Sequence, residues 1–238
     1  QFILNSNVLT DEASLAQVGQ TAAWETSIFM IPSSNLVSGV ATIELSSALP
    51  IITGSSTAID AGTQTTNIGN TNSGVSGTGG TVGVDNIALP QYQNPEVEID
   101  ANDFSGLRVS SAGEVLIARL AIYDNDTAGD LIDKAGVGLT AASKLTIENA
   151  FIGPRATGAD PGDGERIGRT YDDVGFTVAP NVEFRDNLFA YSENSGLHAD
   201  TTGGVYLLTG NELHHLALSN SGQDAVDAVG TWTATGNL

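Results

Sequence analysis

An internal repeat in the second half of the chain constrains the fold more than any other feature. The repeated unit is a Gly followed by an apolar residue, then a turn, then a short segment in which apolar residues alternate with others. The glycines are Gly106, Gly138, Gly175 and Gly196, and a fifth copy begins at Asp224–Val226. Their spacing is uneven, whereas helical repeats keep a nearly constant period. Strands of constant shape joined by turns of variable length are typical of the rungs of a β-helix.

The alternation within each segment predicts which side chains face the interior. Residues two apart in a strand share a face. The pairs expected inside are Val115 with Ile117, Leu145 with Ile147, Val182 with Phe184, and Val205 with Leu207. A single rung is not stable alone, because each buried aliphatic side chain contributes about 1.5–3 kcal/mol, while ordering the backbone costs about 1–2 kcal/mol per residue. The rungs are therefore expected to stack in parallel, with adjacent strands about 4.8 Å apart.

The first third of the chain predicts elements that would close one end of this stack. Residues 2–4 predict an opening strand. Thr10, Asp11 and Glu12 predict the start of a short helix through Leu15, Val18 and Ala22 that caps the N-terminal end. Further strands are expected at 27–31, 40–45, 57–60 and 97–100, and residues 62–86, rich in Gly, Thr, Asn and Ser, predict a long surface loop.

The pattern predicts an all-β fold, a right-handed parallel β-helix or β-solenoid with a short N-terminal capping helix. One domain is expected over residues 1–238. Within it, residues 1–30 are expected to form the N-terminal strand and cap, and residues 106–238 the regular rungs.

Composition excludes several classes of function. Acidic residues outnumber basic ones 28 to 8, which gives a formal net charge of −20. Such a surface repels the phosphates of nucleic acids and anionic membranes. Cysteine is absent, so the chain cannot form disulfides or thiolate metal sites. No apolar run is long enough to span a membrane. The sequence therefore predicts neither nucleic-acid binding nor membrane insertion.

Motifs in the first third resemble those of the pectate-lyase-like β-helix proteins of bacterial and archaeal cell surfaces. That family often begins with a CSLREA-type segment and continues with an IP, a TI-x-L-x-SALP-x-IT run, an IDG-x-TQ run and Gly-Leu-rich rungs. The corresponding segments here are Phe29–Pro32, Ala41–Leu45, Ser47–Thr53, Ala58–Gln64, Val97–Asp100 and Gly106–Leu107. The CSLREA signature itself is missing, with only Ser14 and Leu15 corresponding to it, and Ala61 interrupts the Asp-Gly step. The resemblance implies a right-handed β-helix at the cell surface or outside the cell, and it transfers no catalytic motif.

An acidic turn is the candidate metal site. Asp124, Asp126, Asp130 and Asp133 lie close together in a Gly-containing segment. Ca²⁺ takes several oxygen ligands from flexible loops, so it is the one cofactor that the sequence indicates. The same residues also suit an ordinary solvated turn, because Asp and Asn favour turns. A second acidic turn occupies residues 160–165, with Asp172 and Asp173 after it.

The histidines carry less information. The chain has 3 of them, His198, His214 and His215, and their spacing matches no zinc signature. His198 and Asp200 would share a strand face, with His214 and His215 on the next strand nearby. We interpret all of them as surface residues.

Two carboxylates and an arginine form the candidate catalytic cluster. Stacking the second and third rungs in register places Thr146 beside Glu183 and Glu148 beside Arg185. Glu148, Glu183 and Arg185 could then act as acid, nucleophile and positioning group in polysaccharide cleavage. A solvated ladder with one ion pair between rungs would contain the same residues.

The sequence favours a non-catalytic, extracellular structural or adhesive protein over an enzyme. Residues 230–238 read as a strand without a cap, and exposed strand edges recruit other strands. Head-to-tail self-association would then give a filament or sheath, although a fragment of a longer chain would present the same open end. The alternative is a β-helix polysaccharide lyase or hydrolase, or a passive glycan-binding module. The partners expected are thus other copies of the chain or surface glycans.

Overall fold

The structure, a computed structural model, describes residues 1–8, 22–124, 132–134, 143–162, 174–176, 181–199, 203–218 and 224–238. These residues are mostly β-strands and turns. The helices among them are short: α1 (Phe2–Ser6), one turn of 3₁₀ helix (Ser33–Asn35) and α2 (Gly62–Ile68). None of the described helices is long and apolar enough to cross a membrane.

The strands follow one another closely along the chain. In order they are β1 (Glu25–Thr26), β2 (Ala41–Glu44), β3 (Thr57–Asp60), β4 (Val75–Ser76), β5 (Thr81–Val82), β6 (Ile87–Ala88), β7 (Tyr92–Gln93), β8 (Val97–Asp100), β9 (Leu107–Val109), β10 (Glu114–Ala118), β11 (Ala121–Tyr123), β12 (Ile132–Lys134), β13 (Lys144–Glu148), β14 (Phe151–Ile152), β15 (Val174–Phe176), β16 (Asn181–Arg185), β17 (Leu188–Ala190), β18 (Leu197–Ala199), β19 (Val205–Thr209), β20 (Glu212–His214), β21 (Val226–Ala228) and β22 (Thr231–Thr235).

Three parallel sheets contain most of these strands. Sheet I has 7 strands in the order β1-β3-β10-β13-β16-β19-β22, sheet II has 6 in the order β2-β8-β11-β14-β17-β20, and sheet III has 5 in the order β9-β12-β15-β18-β21. From β8 to β22 the chain visits sheets II, III and I in a fixed rotation, so each strand from β11 on pairs in parallel with the strand three places before it. The repeating unit is therefore a set of three short strands, one in each sheet.

Sheet I buries two columns of side chains. One column contains Val115, Leu145, Val182 and Tyr206, and the other contains Ile117, Ile147, Phe184 and Leu208. All eight residues are at most 4% exposed. The interior pairs predicted for β10, β13 and β16 are confirmed, because hydrogen-bonded register aligns residues of the same phase.

The interior pair predicted for β19 is wrong. Val205 is 51% exposed, whereas Tyr206 is fully buried. The register pairs Tyr206 with Val182 and Leu207 with Glu183, so Leu207 lies on the outer face of the sheet. The Val-Tyr-Leu-Leu segment is apolar at every position, and its alternation therefore does not reveal which residues face inward.

The predicted equivalence of the repeated glycines also needs correction. In sheet III the register aligns Leu107, Ile132, Val174, Leu197 and Val226. Gly175 therefore pairs with His198 and does not occupy the position of Gly196. The strand that pairs with β9 is β12, whereas the predicted segment 138–141 lies outside the described residues. Turn lengths before each strand vary, so the glycines that precede the strands need not align.

The predicted opening strand at residues 2–4 is a helix. In α1 one helical turn places Phe2 and Ile3 against the end of the apolar core, which an extended strand with alternating faces would not do. Asn7 follows and binds the neighbouring chain: its amide donates to the Ile51 carbonyl at 2.7 Å, and its Oδ1 accepts from the Thr53 and Gly54 N–H groups. The predicted capping helix falls on residues 9–21, outside the described part of the chain.

Of the other early strands, β2, β3 and β8 confirm the predictions, and the strand predicted at 27–31 is wrong. There, β1 ends at Thr26. The Phe29 and Ile31 N–H groups donate to Thr63 Oγ1 (2.9 Å) and Gln64 Oε1 (2.8 Å) on α2, so side chains satisfy this backbone in place of a neighbouring strand.

The predicted surface loop at 62–86 contains regular structure. It begins with α2, and after it residues 72–95, which we call the arm, form two antiparallel pairs, β4 with β7 and β5 with β6. The arm packs on the outer face of sheet II. Tyr92 contacts Phe151 edge to face at 6.5 Å and donates its hydroxyl hydrogen to the Gly210 carbonyl at 2.7 Å. A polar composition therefore conceals an element that one buried aromatic residue anchors.

An asparagine ladder continues inside the turns between sheets I and II. Asn187, Asn211 and Asn237 occupy equivalent positions. Oδ1 of Asn211 accepts from the N–H and the side-chain amide of Asn187 at 3.0 and 2.9 Å, and Oδ1 of Asn237 accepts from the same groups of Asn211 at 2.9 and 2.8 Å. Each amide also donates to a backbone carbonyl of the preceding repeat, at Ile147, Phe184 and Leu208 respectively. The ladder fixes the register because a shift would break every one of these bonds.

Removing the aromatic anchor of the arm should destabilise the whole domain. Tyr92 is 5% exposed, so Tyr92→Ala should lower the free energy of unfolding by about 3–5 kcal/mol, and Tyr92→Phe by about 1 kcal/mol through the lost hydrogen bond. Urea unfolding followed by circular dichroism measures both. Val84→Ala, at an arm residue that is 96% exposed, is the control and should change little. Equal midpoints for Tyr92→Ala and the control would show that the arm does not stabilise the stack.

Candidate functional site

The predicted catalytic cluster is assembled as the sequence indicated. Thr146 pairs with Glu183 and Glu148 with Arg185 across β13 and β16. The Arg185 guanidinium contacts the Glu183 carboxylate and lies 3.7 Å from Glu148 Oε2. Lys144, which the sequence did not bring into the cluster, places its Nζ 3.0 Å from Glu183 Oε1.

These contacts bear on what the cluster can do. A general acid needs a carboxyl group whose protonated form is favoured by burial or by a nearby like charge. Here each carboxylate lies beside at least one cation, and the cluster is partly open to solvent. The arrangement is the one expected of an ion-pair ladder across strands.

The acidic turn proposed for calcium lies mostly outside the described residues. Asp126 and Asp130 are not described, and of Asp133 only the backbone is, within β12. Asp124 is 8% exposed and has a left-handed backbone with φ 62°. In the second acidic turn, Asp160 Oδ1 accepts from the Gly162 N–H at 2.9 Å, as Asp does in ordinary turns. In the described part of the chain, no three His, Asp or Glu side chains are arranged to hold a metal ion together.

A buried carboxylate that the sequence did not indicate, Glu98, lies on the outer face of sheet II. Glu98 is 6% exposed and accepts from Thr42 Oγ1 at 2.8 Å and from the Ala156 N–H at 3.0 Å. Arg155 lies 3.7 Å from it and donates to the Tyr123 hydroxyl at 2.7 Å. Burial, and then the charges of Glu98 and Asp100, raise the pKa of Tyr123, which therefore keeps its proton. The only sequence signal was one Glu inside the apolar strand β8.

This network joins the segment around Arg155 to sheet II. Its donors and acceptors are matched, as buried polar groups must be. We interpret it as a structural joint, because the buried Glu98 carboxylate is engaged by Thr42, the Ala156 N–H and Arg155.

A groove runs along the turns between sheets I and II, and we call it the turn groove. One side is a column of residues with left-handed backbones, at φ 51–68°: Arg119, Asn149, Asp186, Gly210 and Gly236. The other side is α2, the arm and the residues next to them, which together contribute Thr65, Asn70, Gln91, Gln93, Asn94 and Glu96. Two cavities of about 210 and 360 Å³ lie side by side along this groove, with Gln93 and Asn149 lining both. Four steps between strands make it roughly 19 Å long.

An ion pair between the half-exposed Arg119 and the buried Asp60 anchors the wall of the turn groove. Arg119 Nε donates to Asp60 Oδ1 at 2.8 Å, and Asp60 is fully buried. This hydrogen bond raises the pKa of Arg119, so the guanidinium stays charged. Besides Arg119, the groove presents the carboxylates of Glu96 and Asp186 and several side-chain amides, which can both donate and accept hydrogen bonds.

A separate cavity of about 460 Å³ lies where the segment between β4 and β5 meets β20. We call it the histidine pocket. Its wall includes Ser76, Thr78, Leu188, Glu212, His214 and His215. Glu212 is 3% exposed and accepts from both the N–H and the hydroxyl of Thr78 at 2.8 Å. His214 and His215 point their Nδ1 atoms at each other, 2.5 Å apart.

The histidines were predicted to be surface residues, and the structure places them in two different sheets. His198 is in β18 of sheet III, whereas His214 is in β20 of sheet II, and Asp200 lies outside the described residues. His215 is exposed, as predicted, and His214 is only partly so. Burial lowers the pKa of His214, and the neighbouring His215 lowers it further. The Glu212 carboxylate raises it, but by less than burial lowers it. The neutral ring is therefore favoured there.

Comparisons with protein-family models, with curated proteins and with solved structures found no significant match. The function is therefore argued from the geometry of this chain.

The two carboxylates Glu98 and Glu183 should differ sharply in their effect on stability. Glu98→Ala removes the acceptor of Thr42 and of the Ala156 N–H and the anion beside Arg155, and it should lower the free energy of unfolding by about 3 kcal/mol. Glu183→Ala removes solvent-accessible ion pairs and should cost less than about 1 kcal/mol. Urea unfolding of both variants at pH 7 measures the difference. A larger loss at Glu183 would mean that the ladder on sheet I, and not the joint on sheet II, stabilises the fold.

Proposed function

We propose that this chain is a right-handed parallel β-helix with a non-catalytic structural or adhesive role at the cell surface or outside the cell, and that its copies associate head to tail. The β-helix is supported by the rotation of the chain through sheets II, III and I, with each strand paired to the strand three places earlier. The location is supported by the sequence resemblance of residues 29–64 to surface β-helix proteins and by the strongly acidic composition.

The observation that carries the association is the open edge of sheet I at β22. Among the described residues, β22 pairs only with β19, and its other side carries unpaired backbone groups. Trp232 stacks on Tyr206 at 4.2 Å and is only partly buried, so the apolar column of sheet I continues to the edge. Edges of this kind are templates for a further strand.

The asparagine ladder also ends at that edge, at Asn237. Asn187 and Asn211 each donate a backbone N–H and an amide hydrogen to the next ladder oxygen. Asn237 uses its amide on the Leu208 carbonyl, and no acceptor for its N–H lies among the described residues. A strand added in register would supply backbone acceptors for this N–H and for the outer side of β22.

In this proposal a second copy supplies that strand through β1, the opposite edge of sheet I. Both strands belong to one parallel sheet, so their contact is head to tail and repeats from copy to copy. Such a contact does not close on itself, and it produces a filament.

The association is tested by placing a charge on the open edge. Ala234 is exposed and lies in register with Leu208, at the end of an apolar column, so Ala234→Lys should block a further strand without disturbing the subunit. Val84→Lys, at the arm tip, makes the same change of charge and serves as the control. Sedimentation velocity over a range of concentrations and negative-stain electron microscopy are the measurements.

We expect the unmodified chain and Val84→Lys to form head-to-tail filaments and Ala234→Lys to sediment as a monomer. Single rods of the unmodified chain at every concentration would overturn the proposed association. The same images with and without millimolar Ca²⁺ test calcium at the acidic turns, since filaments that dissolve in chelator would require the ion at the interface.

The turn groove favours a second candidate function, passive binding of a glycan. Its amide side chains suit hydroxyl groups, and Asp186 and Glu96 with the net charge of −20 disfavour a polyanionic chain. We expect a neutral oligosaccharide to bind without cleavage. Binding to a panel of neutral and acidic glycans would lose about tenfold in affinity in Asn149→Ala and stay unchanged in Glu183→Gln. Cleavage that Glu148→Gln or Glu183→Gln abolishes would instead establish the lyase or hydrolase alternative.

A further inference from the structure

His214 and His215 converge although they are neighbours in the chain. Successive side chains of a strand point to opposite faces, so two adjacent histidines would ordinarily diverge. Here His214 ends β20, and His215 takes a left-handed backbone with φ 52° that turns its ring to the same side. A non-glycine residue in this conformation costs about 1 kcal/mol. Positive φ angles also follow β11, β14 and β17, at Asp124, Gly153 and Tyr191, so this turn belongs to the repeat, and at β20 it brings the two Nδ1 atoms to 2.5 Å.

Neighbouring groups hold both rings in place. Tyr191 stacks on His215 with ring centroids 5.4 Å apart and meets His214 edge to face at 5.8 Å. On the far side of His214, its Nε2 lies 3.7 Å from Oε1 of the buried Glu212. Two hydrogen bonds from Thr78 fix that carboxylate.

The carboxylate selects the tautomer of His214. A nearby anion favours the ring hydrogen on Nε2, which leaves the Nδ1 lone pair directed at His215. The Nδ1 of His215 then supplies the hydrogen that lies between the rings. If that hydrogen moves to Nε2 of the exposed His215, both Nδ1 lone pairs are directed at the space between the two rings. Both rings then remain neutral, so no net proton is released.

We infer that His214 and His215 form a binding site for a borderline divalent metal ion such as Zn²⁺, with Glu212 orienting His214 from behind. Imidazole nitrogen suits Zn²⁺, Ni²⁺ and Cu²⁺, whereas Ca²⁺ prefers oxygen ligands. The carboxylate–histidine–metal arrangement is the usual one at such sites. Two nitrogens bound at about 2.1 Å in tetrahedral geometry lie about 3.4 Å apart, so each ring must move by about 0.5 Å from the present 2.5 Å contact.

Both histidines line the histidine pocket, so an ion held between them would lie at its wall. The pocket volume of about 460 Å³ leaves room for water or for a ligand atom from outside the chain. With two protein ligands the ion keeps open positions, as catalytic and bridging metal sites do and closed structural sites do not. The site is thus distinct from the acidic turns and needs no contribution from them.

The test is calorimetric titration of the full chain with Zn²⁺, in millimolar Ca²⁺ to occupy surface carboxylates. We expect one site per chain, weakened by at least about tenfold in His214→Ala and in His215→Asn. Asn is chosen at 215 because it tolerates the left-handed backbone while removing the imidazole. His198→Ala, which removes the histidine in sheet III, is the matched control and should bind as the unmodified chain does.

Nitrogen-15 NMR of the imidazole rings provides a readout that folding alone does not change. Zn²⁺ should shift the Nδ1 signals of His214 and His215 and leave their Nε2 atoms protonated. Glu212→Gln should weaken binding by about 10–100-fold and raise the share of the other tautomer of His214 before metal is added. Binding that survives both histidine substitutions, or no binding at millimolar Zn²⁺, would overturn the inference and leave a pair of rings that shares a proton.

Discussion

The parallel hydrogen-bond register between strands three places apart is the constraint on which the rest of the structure depends. Each strand is too short to be stable, and it acquires its partners only when the chain has passed through all three sheets. Once the register is set, every position along the strand becomes a column through the stack. Apolar columns make the core, the asparagine column makes the ladder, and the outer columns place Lys144 and Arg185 in contact with Glu183.

The sequence predicted the parts of the fold where alternation has a clear phase. In β10, β13 and β16 a polar residue separates the two inward ones in most cases, and the predicted faces are correct. In β19 every residue from Val205 to Leu208 is apolar, so only hydrogen bonding to β16 decides that Tyr206 faces inward. The arm was missed for the opposite reason, because its Gly, Thr and Asn residues carry no apolar pattern and Tyr92 is its one residue in the apolar cluster on the outer face of sheet II.

The candidate sites also differ in whether the sequence could predict them. The contact of Glu148 with Arg185 follows from register alone, and it was predictable. The joint around Glu98 brings together residues up to 58 positions apart, which no local pattern reveals. The convergence of His214 and His215 depends on one backbone angle, and a sequence of two adjacent histidines does not indicate it.

The contacts of the arm also imply an order of folding. The hydrogen bond from Tyr92 to Gly210 joins residues 118 positions apart, and that from Thr78 to Glu212 joins residues 134 apart. Neither acceptor reaches its place until the strands between β8 and β20 have stacked, so the arm cannot dock early in folding. Long-range contacts of this kind form late, because the entropy of closing the intervening chain must be overcome first. The arm therefore docks only after the three sheets have formed. An intermediate in which the arm is not yet docked would expose Phe151 and Leu188 on the outer face of sheet II.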